Sequence, residues 1–145
     1  MILVAFVLLV ALAFVCISTV YEPERFTQVK EMYTVFIDYI NRENRDPRFE
    51  VLKKRCVLVG FDKKSGDLGY NTNKGYEIGL CLDGTPNQIF HVLLHELAHC
   101  TVPEYDHSPQ FWKNFRDLKQ MSVDAGIYKM IHNRVAFCGQ EIQDM

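Results

Sequence analysis

The first 21 of the 145 residues carry no charged side chain, and the chain as a whole contains no basic run. Lys and Arg together number 16 against 18 Asp and Glu, a formal charge of −2. Phosphate binding needs clustered cations, so a nucleic-acid partner held by a basic patch is not expected. There are no internal repeats and no low-complexity tracts, which excludes solenoids and disordered spacers. No pair of cysteines has the C-x-x-C spacing of a zinc ribbon or a thioredoxin-type site. With 48% hydrophobic, 12% aromatic and 23% charged residues, the composition is that of a folded chain of one-domain length.

Met1 to Ile17 is an unbroken apolar run, followed by Ser18, Thr19, Val20 and Tyr21 before the first charge at Glu22. About 20 helical residues span the hydrocarbon core of a bilayer, so residues 1–21 are expected to form a single-pass transmembrane anchor with Tyr21 at the interface. The rival is a cleavable signal peptide, which would leave the remainder secreted. It lacks a positive n-region and has only a weak cleavage site at Cys16-Ile17-Ser18. Either way, residues 22–145 form the functional domain. Cys56, Cys81, Cys100 and Cys138 lie in that part. They allow two disulfides, although buried free thiols are the reading their wide spacing favours.

Apolar residues Phe26, Val29, Tyr33, Phe36 and Ile40 recur at helical spacing after Pro23, and Arg45-Asp46-Pro47 ends that helix. Cys56 to Phe61 reads as a strand, Lys63–Asp67 and Asn71–Gly75 as turns. Strict alternation from Tyr76 to Leu82 places Tyr76, Ile78, Leu80 and Leu82 toward the core. Thr85 is a candidate N-cap with Pro86 at the first helical position, opening a helix to about Cys100. Pro103 breaks it. A further helix is expected over Pro109–Met121, on Phe111, Phe115 and Leu118, and a last helical piece over Ser122–Asn133. The class is α+β, with a small antiparallel sheet packed on the helix that ends at Cys100.

Residues 95–99 read His-Glu-Leu-Ala-His. Positions four apart on a helix lie one above the other, so His95 and His99 can share one zinc ion. Glu96, one step round the helix, reaches a water at the metal without ligating it, which suits a general base. A catalytic zinc needs a third protein ligand. His107, eight residues on and past Pro103, is the favoured one; Glu104, Asp106 and Asp117 are the alternatives. His91, one turn before His95, reads as a partly exposed bystander and His132 as a surface residue. Cys100 is turned about 100° from His99 and reads as core.

The stretches DLGYNTNKGYEIGLCLDG, IFHVLLHELAHC and HSPQFWKNFRDL, between Gly66 and Met121, resemble the WLM family of zinc metallopeptidases, relatives of the SprT/Spartan group. The likeness is nearest to the small members found in large DNA viruses, which share a Cys-Gly segment such as Cys138-Gly139. The resemblance implies a minimal zincin-like metallopeptidase fold, zinc held by His95, His99 and His107, and Glu96 as the catalytic glutamate. The linker from Cys100 to Asp106 is seven residues, longer than the five expected of cellular members. The family's role in cleaving DNA-crosslinked proteins is not carried over, because this chain has neither a basic tail nor an extra zinc module.

The leading expectation is therefore a membrane-anchored zinc metalloprotease with a protein or peptide substrate. That substrate would lie along an edge strand, for which Tyr76–Leu82 is the candidate. The alternatives are a zinc hydrolase acting on a non-protein amide or ester, and a non-catalytic zinc-stabilised binding module. Against the last stands Glu96, since a closed structural site has no use for an unligated carboxylate.

Overall fold

The structure, a computed structural model, describes residues 1–20, 22–63 and 66–144, with the side chains of 15–20 outside the description. Its elements run α1 (Ile2–Val20), α2 (Glu24–Glu43), a 3-10 segment (Pro47–Lys53), β1 (Val57–Phe61), β2 (Gly69–Thr72), β3 (Glu77–Cys81), α3 (Pro86–Cys100), α4 (Pro109–Asp124), β4 (Val135–Phe137) and β5 (Gln140–Ile142). The α+β class is as expected. The transmembrane anchor is not supported: among the described residues no helix is long and apolar enough to cross a membrane. The single-pass membrane localisation falls with it. The expectations for Cys16, Tyr21 and the cleavage site at 16–18 lie outside the described residues.

Helix α3 is the centre of the molecule. Ten of its residues are buried, including two rows at helical spacing, Ile89, Leu93 and Leu97 with Phe90, Leu94 and Ala98. Such all-round burial requires cover on every side. The α2 face of Phe26, Val29, Tyr33, Phe36 and Ile40 is buried as its spacing predicts, with Phe36 packed edge-on to Phe90 at 6.0 Å. On another side lies the three-stranded sheet, and on a third α4, through buried Phe111, Phe115 and Leu118.

The sheet departs from expectation in two ways. Its order is β1-β3-β2, with β3 parallel to β1 and antiparallel to β2, so it is mixed rather than antiparallel. The segment Tyr76–Leu82 holds the central strand and has no free edge; β1 and β2 are the edge strands, and β2 is the one packed on α3. The second face of β3 is covered as well. Gly79 lies under the Tyr70 ring, where a Cβ would stand 2.0 Å from a ring carbon, and Cys81 is fully buried. Tyr76, expected inside, is 73% exposed. The expected turn over 63–67 is described only at its ends, where the Gly66 N–H donates to Lys63 O at 3.2 Å.

The expected separate helix over Ser122–Asn133 does not form: α4 itself runs on to Asp124 and stops, no helix follows to Asn133, and a hairpin begins at Val135. Gly126, at φ +75°, follows the C-cap Ala125. The Gly126 N–H donates to Val123 O and the Ile127 N–H to Ser122 O. This is the paired closure that ends helices at a left-handed glycine. Strands β4 and β5 then pair through Cys138-Gly139, both at positive φ, the geometry of a two-residue hairpin turn. That turn is bonded to the sheet: Cys138 forms a disulfide with Cys81. The expectation of free thiols thus holds for Cys56 and Cys100 alone.

Candidate metal centre

The N-terminus of α3 is fixed by a reciprocal cap. Thr85 Oγ1 accepts from the Gln88 N–H at 3.3 Å, and Gln88 Oε1 accepts from the Thr85 N–H at 2.9 Å. From this anchored start, His95 and His99 fall on one face near the far end. Beyond Cys100 the chain reverses over residues 101–106. Thr101 Oγ1 donates to Ala98 O at 2.6 Å and accepts from Asn114 Nδ2 at 2.8 Å. Lys74 Nζ donates to His99 O at 3.1 Å and to Glu104 O, and sits 4.1 Å from the centre of the Tyr105 ring. Ser108 caps α4 by accepting from the Phe111 N–H at 3.1 Å. His107 is therefore the residue just before a cap, placed over the α3 face by a linker tied at both ends.

The three histidines meet. His107 Nε2 lies 3.0 Å from His95 Nε2 and 3.2 Å from His99 Nε2. All three ligand atoms fall within 4.8 Å of one another, so the group can hold a metal ion. A tetrahedral zinc bound at about 2.0–2.1 Å keeps its nitrogen ligands about 3.3 Å apart, close to the spacings found. Burial, and then the neighbouring His99 and His107, push the His95 pKa down to about 3. Burial, followed by His107 and Lys74, pushes His99 down to about 4. Both imidazoles are neutral at physiological pH, with lone pairs free for a cation. The Phe111 ring backs all three, with centroids 4.9, 4.4 and 4.7 Å from His95, His99 and His107. Glu104 and Asp106 stay outside the cluster. Asp117 is engaged elsewhere, by Arg48 at 2.9 Å.

Glu96 is 7% exposed, and burial alone raises its pKa to about 7. It divides two small cavities. One, of about 180 Å3, is lined by Leu68, Gly69, His91, Val92 and His95 with Ile142 of β5. The other, of about 140 Å3, is lined by Asn71, Lys74, His99 and Tyr105. Edge strand β2 borders both, through Gly69 and Asn71. Asn71 Nδ2 donates to Glu96 O at 2.8 Å and holds the strand to the helix. At Gly69 a Cβ would stand 2.7 Å from Val92 Cγ1 and 3.1 Å from Glu96 Oε1, so only glycine lets the strand approach this closely.

A sequence model of the WLM domain matches residues 45–141. The chain belongs to the WLM family. Among its relatives, an uncharacterized protein of Acanthamoeba polyphaga mimivirus is 38% identical, the match covering 80% of this chain and 68% of that protein. An uncharacterized protein of Invertebrate iridescent virus 6 is 27% identical, over 77% and 60%. No solved structure matches the chain. The WLM family is metallopeptidase-like and zinc-associated, in keeping with three imidazoles that can hold a metal.

Two features of this WLM domain were not legible in its sequence. His91 is no partly exposed bystander. It is 7% exposed, with Nδ1 3.0 Å from Tyr128 Oη and 3.0 Å from Asp144 Oδ1. Lys119 Nζ also reaches Asp144 Oδ1 at 3.0 Å, and Asp144 Oδ2 accepts from Tyr128 Oη and the Ile131 N–H, each at 2.6 Å. Lys74 is the second, as the clasp on the His99–His107 linker. His91 shares the face of His95, which is a hint; nothing near Asp144 or Lys74 in sequence marks either. His132 is exposed, as expected.

Proposed function

We propose that this WLM protein is a zinc-dependent peptidase, with zinc held by His95, His99 and His107 and Glu96 as general base. The observation that carries the reading is the convergence of the three Nε2 atoms beside a buried, unligated carboxylate. Zinc held there supplies a Lewis acid that polarises a substrate carbonyl and acidifies water. The chain's own groups do the rest. Glu96 takes the proton of the attacking water on a carboxylate oxygen and hands it to the departing amine. Burial tunes it toward neutrality, where one group serves as base and then as acid. The wall of Phe111 limits water on the inner side of the site.

A peptide is favoured over a small amide or ester by the shape of the cleft. Each cavity is well below the roughly 300–1,000 Å3 typical of small-molecule sites. Two small hollows on either side of Glu96, both bordered by the free edge of β2, suit successive side chains of an extended chain. That chain would pair with Gly69–Thr72 by strand addition.

The test is cleavage of an unfolded protein such as reduced, alkylated casein by the full chain. Activity that needs zinc and falls at least about 1,000-fold in Glu96→Gln is expected. Zinc-loaded protein that cleaves no polypeptide but hydrolyses small esters would replace this reading with the non-protein hydrolase.

A further inference from the structure

The two free thiols face each other in a place the proposed chemistry does not use. Cys100 is the last residue of α3 and Cys56 the residue before β1, and both flank Gly75. A Cβ on Gly75 would lie 2.9 Å from Cys100 Sγ and 2.9 Å from Cys56 Sγ, so the absence of that atom lets the sulfurs share one space. Gly75 is held there at φ +100°, its N–H donating to Asn71 Oδ1 at 2.7 Å. Asn71 Nδ2 in turn donates to Cys100 Sγ at 3.2 Å. The Cys56 N–H donates to Tyr33 Oη at 3.0 Å, fixing the other sulfur's backbone.

Both residues line an open cavity of about 520 Å3 together with Lys54, Arg55 and Lys74, and they differ in exposure: Cys100 is buried, whereas Cys56 is half-buried. A partly exposed thiol among cations, backed by a buried partner, is the arrangement that reacts with disulfides. Contact with Cys100, opposed by burial but aided by Tyr33 and Lys54, draws the Cys56 thiol below its ordinary range. The chain already contains one disulfide, Cys81–Cys138.

We propose that Cys56 and Cys100 are a reversible dithiol–disulfide pair, with Cys56 attacking a low-molecular-weight disulfide such as oxidised glutathione and Cys100 resolving the product. In the first step the Cys56 thiolate bonds to one glutathione sulfur and the other leaves as a thiolate. In the second, Cys100, losing its proton, bonds to Cys56 Sγ and expels the remaining glutathione, which takes up a proton. Overall two protein thiols are oxidised to one disulfide, and one glutathione disulfide is reduced to two thiols. The bond would join the end of α3, one residue past His99, to the start of β1.

The experiment is a peptide map of the full chain equilibrated in glutathione buffers from reduced to oxidised and quenched by alkylation. A Cys56–Cys100 linked peptide should grow with oxidised glutathione and vanish when reduced glutathione is restored. Cys100→Ser should stop with glutathione on Cys56; Cys56→Ser should leave Cys100 an unmodified thiol. The wild-type map decides the matter even if a variant fails to fold. Cys56 and Cys100 remaining thiols throughout, or wild-type Cys56 halting as a mixed disulfide, overturns the proposal. The map reads sulfur alone, so its failure leaves the zinc reading untouched, and the reverse.

Discussion

His91 Nδ1 lies 3.0 Å from Asp144 Oδ1, and through this pair the segment after β5 is fastened to the helix that carries His95, Glu96 and His99. Lys119 of α4 and Tyr128 complete the cluster, with Asp144 1% exposed at its side chain. Four groups, from α3, α4 and the segment after α4, therefore converge on one carboxylate a single helical turn before the candidate metal centre. Ile142, two residues earlier, lines the cavity beside Glu96. The C-terminal hairpin is thus part of the site wall and not an appendage.

Removing that carboxylate should be costly. Asp144→Ala leaves Lys119 and His91 buried without their partner, and a loss of about 3–5 kcal/mol is expected in denaturant unfolding. A change under about 0.5 kcal/mol would show that the cluster is not a structural tie.

The same cluster sets an acid limit. Burial works against the Asp144 charge, but hydrogen bonds from His91, Tyr128, the Ile131 N–H and Lys119 outweigh it and hold the carboxyl well below its ordinary 3.8. A carboxyl depressed in the folded state stabilises above its unfolded pKa, and that contribution is lost as pH falls toward the folded value. Wild-type stability should decline below about pH 4 more steeply than that of Asp144→Asn, measured by unfolding at matched ionic strength. Parallel acid profiles would contradict the assignment.

At Gly69 the prediction concerns catalysis without loss of metal. An added methyl meets Val92 Cγ1 and Glu96 Oε1, so Gly69→Ala must push the edge strand off the helix or shift the glutamate. A fall in kcat/KM of about 10-fold or more, equivalent to about 1.4 kcal/mol, is expected with zinc content unchanged. Unaltered kinetics would place the substrate path elsewhere.

Lys74 should act on metal retention. Its ammonium joins His99 O to Glu104 O across the linker that delivers His107. Lys74→Met keeps the stem but frees that linker, and zinc affinity should drop about 10-fold, as for other groups that orient metal ligands. Chelator competition measures it; an unchanged affinity would mean that Ser108 and Asn114 position His107 without help.

Local signals carried much of this molecule into its sequence. Thr85-Pro86 marks the start of α3, the 3.6-residue rows mark its buried faces, and the four-residue step from His95 to His99 marks the candidate centre. What escaped depends on partners distant in the chain. Alternation along Tyr76–Leu82 gives a strand, but not that β1 and β2 flank it, because pairing lies in the partners and not in the strand. The burial of His91 comes from Asp144, 53 positions away. The Cys81–Cys138 bond spans 57 residues and is one of three ways to pair a first cysteine among four. The helical piece expected over residues 122–133 is cut short by Gly126, whose left-handed backbone ends α4.

The proposed activity depends above all on three histidines holding one zinc while Glu96 stays free of it. Zinc per chain on the purified full-length protein, wild type beside His107→Ala and Glu96→Gln, tests this directly. One zinc in wild type and in Glu96→Gln, with its loss from His107→Ala, is the result predicted. No zinc in wild type, or equal retention in His107→Ala, would contradict it.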